Sequence, residues 1–183
     1  IVWTKDASRI FYTTNRDPEP YYGFPNTEIF SIPPGGGEPT LLTELEQGVG
    51  ALSLSPDGKR FAFIASAVHK PVNSYTQPDL WVMDIEQNAK PKNVTIAFDF
   101  DIGGGVTGDQ ASPRAGGGSS PIWSSDGRAL VVGFTKEGRL NLAIVEAASG
   151  RLTELTKGDH AITNYRLSND QQRLVYLRST PTQ

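Results

Sequence analysis

The chain has 183 residues, with 19 glycines, 13 prolines and no cysteine, and a formal net charge of −3. Its basic residues are scattered, with no stripe of Lys and Arg interleaved with aromatics, which argues against a nucleic-acid partner. Without cysteine there is no disulfide and no thiolate metal site, and no apolar run reaches the roughly 18 residues of a membrane helix.

In chain order the first element is residues 3–11, a short strand, a polar turn around Asp6 and the start of a second strand. The same pattern returns at 54–62, at 123–131 and at 167–175, with Asp57, Asp126 and Asp170 in the place of Asp6. The Asp-to-Asp steps are 51 (57−6), 69 (126−57) and 44 (170−126) residues. The last step matches a four-stranded propeller blade, about 40–45 residues, and the longer steps read as blades with insertions. Asp57-Gly58 and Asp126-Gly127 predict tight hairpin turns with Gly at positive φ. The repeated place of the four Asp residues assigns them to turn stabilisation, and Arg9, Arg60, Arg128 and Arg173 are expected to bond across the same turns.

A third strand follows in each unit, at 27–32, 79–84 and 140–145, and then a short edge strand ending in Thr43, Thr95 or Thr156. One unit therefore holds four strands in hairpin order. The predicted fold is an all-β propeller portion of about four blades, with units at about 1–51, 52–120 and 121–164 and the start of another at 165–183. Four units suffice for a small ring and equally make half of a larger one. Strand edges and an uncovered blade face predict that the isolated chain dimerises, unless strands from its two ends close one sheet. The first residue is Ile1, inside a repeat, so the chain reads as trimmed or partial. Its compartment stays open between the cytoplasm and a periplasmic or secreted location.

Residues 55–60 read Ser-Pro-Asp-Gly-Lys-Arg, and with the third strand at 79–84 and the closing Val94-Thr95 they resemble the propeller repeat shared by TolB-like proteins and serine peptidases of the prolyl oligopeptidase family. The stretch 98–110, with Ser112-Pro113-Arg114 and the Gly-rich run 116–120, is similar to an inter-blade loop of acylaminoacyl-peptidase-like members. So are 138–142 and 155–160. This resemblance implies a propeller of seven or eight blades preceding an α/β-hydrolase domain that carries the catalytic Ser, Asp and His. It implies a non-catalytic role here: gating the access of peptide substrate to that hydrolase domain. The alternative is a TolB-like protein-binding module with no peptidase domain, and the reading frame beyond Gln183 discriminates between them.

No catalytic residue is assigned to this chain. The nearest approach to a nucleophile elbow is Gly117-Gly118-Ser119-Ser120-Pro121, which has Pro where the last Gly belongs and precedes a strand. His160 is read as part of a turn and His69 as a loop residue. Asp99, Asp101 and Asp109 lack the spacing of a calcium loop, and Gly103–Gly105 lacks the following Lys of a phosphate loop, so neither a metal nor a cofactor is expected. The candidate contacts to a substrate or to another domain are Tyr21, Tyr22 and Phe24, in a loop crowded with aromatics, and Arg114 beside the Gly-rich run.

Overall fold

The computed structural model describes residues 1–19, 21, 26–43, 45, 48–66, 75–86, 89–106 and 119–180. Among them every regular element is a strand. The first sheet is the antiparallel meander β1 (Val2–Trp3), β2 (Ile10–Thr14), β3 (Glu28–Ile32) and β4 (Thr40–Leu41). The second is β5 (Gly50–Leu54), β6 (Arg60–Ser66), β7 (Pro78–Asp84) and β8 (Lys92–Asn93). The third is built from β9 (Asp101–Ile102), β10 (Ile122–Trp123), β11 (Ala129–Lys136), β12 (Arg139–Glu146) and β13 (Leu152–Glu154). The hairpin β14 (Ala161–Leu167) and β15 (Leu174–Ser179) begins a fourth blade, tied to the third by one parallel pairing, Leu140 with Ala161. The chain is an all-β propeller structure of successive four-stranded blades.

Period-two alternation gives each blade two apolar faces. On β6, Phe61, Phe63 and Ala65 point to the first blade and pack with Phe11, Ile29, Val49 and Met83. Ala62 and Ile64 on the same strand point to the third blade, against Leu130, Val132 and Phe134. Val131, Leu140 and Leu142 then face the fourth hairpin and meet Ile162 and Tyr165. Residues 162 and 165 share a face only because a bulge between Ile162 and Asn164 shifts the register. β5 carries a similar shift between Gly50 and Ser53, with Ala51 at φ 49°, so that Val49 and Leu52 both reach the first core.

One expectation is corrected here. The stretch 98–110 reads in the sequence as a loop between blades, yet β9 pairs with Phe134 and Thr135 on the same edge of β11 that β10 occupies nearer its start. The innermost position of the third blade is therefore shared by two short strands, and the long connection between them leaves from within the blade. A two-residue strand is too short for periodicity to reveal it.

Each complete blade also buries the same polar device. The Thr95 hydroxyl accepts the Leu80 amide at 3.0 Å and donates to the Asp79 carboxylate at 2.7 Å. Thr43 stands likewise between the Ile29 amide and Glu28, and Thr156 between the Leu142 amide and Asn141. The edge strands are only two or three residues long, so these hydroxyls continue the ladder where backbone pairing ends. A buried hydroxyl needs such partners.

Candidate functional site

In a four-stranded meander the first and third turns lie at one end and the second turn and the link to the next blade lie at the other. The short turns 4–9, 55–59, 124–128 and 168–173 therefore share one face. The connections β2 to β3 and β6 to β7 emerge at the opposite face. Between the faces runs an axial groove of about 630 Å³ to which all four blades contribute. Trp3 and Lys5 come from the first, Ser53 and Ser55 from the second, Ser120 and Ile122 from the third, and Asn164 and Arg166 from the fourth.

The turns at the groove's mouth hold their shape by one repeated pattern. The Ser55 hydroxyl donates to Asp57 and accepts the Arg60 amide, while Asp57 accepts the Lys59 amide. Ser124 with Asp126 and Ser168 with Asp170 repeat this. Enclosing the serine makes these loops wider than the tight hairpin the Asp-Gly pair predicts. Gly58 and Gly127 do take positive φ, 70° and 68°. Ala7 and Gln171 take the same conformation at 55° and 56° in the other two copies.

Arg128 stays beside Asp126 of its own turn, 3.9 Å away, but Arg60 and Arg9 depart from expectation. Arg60 leaves its own turn: its guanidinium lies over the Trp123 ring, 5.0 Å from the centroid, and donates to the Gly127 carbonyl at 2.7 Å. Arg9 bonds the Ser31 hydroxyl at 3.0 Å in its own sheet. A guanidinium gains more by stacking on a ring and meeting a carbonyl than by an exposed contact with a turn carboxylate. Gln171 ties the third turn to the fourth, accepting the Ser125 amide at 2.7 Å and donating to the Trp123 carbonyl at 2.9 Å. Sequence reasoning missed both ties, although the replacement of the turn glycine by Gln171 was a visible signal.

The hydroxyl bonds lower the turn carboxyls. Thr4 and then Ser8 hold Asp6 at about 2, and Ser55, Ser124 and Ser168 lower Asp57, Asp126 and Asp170. A carboxyl whose folded pKa lies below its unfolded value of about 4 stabilises the fold fully above that value, and the contribution is lost as pH falls through the folded pKa. The melting temperature should therefore drop between about pH 4 and pH 2, and Asp6→Asn should make that drop shallower. An unchanged slope in the Asn variant would remove this turn from the acid response.

Of the candidate contact residues, Tyr21 is 93% exposed in the β2–β3 connection. Tyr22, Phe24 and Arg114 lie outside the described residues, as do His69 and Asp109. Ser119 lies three residues before β10 and accepts the Tyr165 amide at 3.4 Å. His160 gives its carbonyl to the Leu140 amide, and its Nε2 is buried without a partner. Asp101 accepts a hydrogen bond from the Tyr75 hydroxyl, which is pushed up to about 12 by that bond. Among the described residues no three His, Cys, Asp or Glu side chains gather to hold a metal ion.

The repeated blade and its Ser-Asp turns are those of a β-propeller, and known propeller structures align with the chain. TolB from Acinetobacter baumannii aligns over 99% of this chain and 37% of its own, with a TM-score of 0.66 and 19% identity. A puromycin-hydrolyzing peptidase of Mycobacterium tuberculosis aligns over 97% of this chain and 27% of its own, with a TM-score of 0.66 and 18% identity. The acylaminoacyl peptidase of Pyrococcus horikoshii aligns over 97% and 23%, with a TM-score of 0.60 and 21% identity. No family model matches the chain, and no curated protein does. The chain thus spans between about a quarter and two fifths of the length of these three structures, and the likeness at these identities is one of fold.

Proposed function

We propose that this chain is the non-catalytic propeller portion of a serine peptidase, gating the access of peptides to an α/β-hydrolase domain encoded with it. The observation that carries this reading is the asymmetry of the two faces. One mouth of the groove has only short, stiffened turns, while the other gathers the connections β2–β3 and β6–β7, and the β9–β10 connection leaves from within the third blade. Long connections around a channel mouth are suited to sorting substrates by size. Tyr21 belongs to the first of them, and Tyr22, Phe24 and Arg114 are the sequence's other candidates for contact with substrate or hydrolase domain. The peptidase neighbours, aligned over 97% of this chain, support the reading.

The test uses the reading frame continued beyond Gln183. Its product should label with a fluorophosphonate serine probe, whereas the 183-residue chain should not. Replacing residues 67–77 by a short Gly-Ser turn in the extended protein should let longer peptides be cleaved. An extended product that neither labels nor cleaves would leave the second reading, a protein-binding module. The TolB alignment over 99% of the chain favours that second reading.

A further inference from the structure

The axial groove has a charge character that the blade architecture does not require. Two cations line it, Lys5 and Arg166, and no Asp or Glu does, although the chain as a whole is acidic. Asp6, Asp57 and Asp126 stand near its mouth, but each spends a carboxylate oxygen on its own turn. Lys5 is exposed and has no hydrogen-bond or ion-pair partner among the described residues. Arg166 gives one guanidinium nitrogen to the Tyr165 carbonyl at 2.9 Å and keeps its other donors for a ligand. Trp3, 52% exposed, adds an aromatic face to the same lining. The groove walls are also strand edges: β1, β5 and β10 are each paired on one side only. Free edges of this kind offer backbone amides and carbonyls to an extended chain.

We propose that this groove binds an extended peptide segment bearing carboxylates, with Lys5 and Arg166 as its charge-reading residues. Peptide is preferred to nucleic acid because the walls supply strand edges, the hydroxyls of Ser53, Ser55 and Ser120 and the Asn164 amide, with only two cations. Backbone phosphates call for longer basic tracks. Under the peptidase reading the site sets a preference for acidic peptides; under the binding-module reading it sets the partner's chemistry. The inference stands on neither, because its test reads binding and not hydrolysis.

The 183-residue chain is titrated calorimetrically, at low salt, with a capped peptide of alternating Gly and Glu and with the same peptide carrying Gln. The Glu peptide should bind at least about tenfold more tightly, and added salt should weaken it. Lys5→Gln together with Arg166→Gln should cost about tenfold. Arg173→Gln, whose side chain lies outside this groove, should not change affinity. Trp3→Phe should reduce a ligand-dependent change in tryptophan emission, to which Trp123 of the same groove also contributes, while calorimetric binding persists. Both groove cations lie on exposed side chains, and circular dichroism of each variant confirms its fold. Equal affinity for the two peptides, no binding of either, or an unaffected double variant would overturn the proposal. Tighter binding of hexathymidylate than of the Glu peptide would also overturn it.

Discussion

Phe61→Ala should cost about 3–5 kcal/mol of unfolding free energy, the range for emptying a ring from a close-packed core. Phe61 has no exposed surface, and its ring stands edge-on to Phe11, 4.9 Å between centroids. Its neighbours Ile29, Val49 and Met83 come from the first blade and from the strands flanking β6. Sheets fixed by backbone ladders cannot slide together to fill the space, so most of the cavity should persist. Domains are typically stable by only about 5–15 kcal/mol, so this loss is a large share of the total. Urea unfolding followed by far-ultraviolet dichroism reads it as a lower midpoint. Val175→Ala, at a side chain 69% exposed on the outer hairpin, is the control and should stay within about 0.5 kcal/mol. A Phe61→Ala cost below about 1 kcal/mol would mean that the first two blades do not share a dry core.

The parts of this fold legible in the sequence were those built locally and repeated. Runs such as 60–65 and 129–134 are almost continuously apolar because both faces of their blades are covered, and the Ser-x-Asp turns recur because one hydrogen-bond pattern serves all of them. Features that join distant segments were not legible. Arg60 meets Gly127 across 67 positions, and no local propensity points to that partner. The axial groove draws on all four blades, so its two cations, Lys5 and Arg166, look like scattered charges in the chain. The Thr devices lay between these cases. Their threonines were visible at the ends of the edge strands, but their acceptors Glu28, Asp79 and Asn141 were hidden by being three different residue types. Each acceptor precedes its threonine by 15 or 16 positions, a spacing that would have exposed the pairing.

Gly150→Ala should destabilise the chain more than Gly58→Ala, although both glycines are turn residues at nearly the same φ, 73° and 70°. The left-handed conformation alone costs a non-glycine residue about 1–2 kcal/mol. At Gly58 that is the whole penalty, because nothing lies within 4 Å of a built Cβ. The unit's own copies agree, since Ala7 and Gln171 occupy the equivalent place. At Gly150 a Cβ would overlap the Val94 carbonyl oxygen of the preceding blade. That carbonyl cannot swing aside freely. The Val94 amide is bonded to the Leu80 carbonyl, and the Val94 side chain is packed in the core between the second and third blades. The Lys92 amine also reaches the Ala148 carbonyl at 2.6 Å, so the two segments are held together on both sides of the contact. Relief therefore requires the third blade's turn to lift from the second blade. The expected cost is above about 3 kcal/mol, the strain of the turn plus a backbone overlap. Paired urea titrations of the two variants decide it. Equal costs would show that the turn at 147–150 yields without disturbing the interface, and that the second and third blades are joined by their apolar core and the Arg60–Trp123 stack rather than by this close backbone approach.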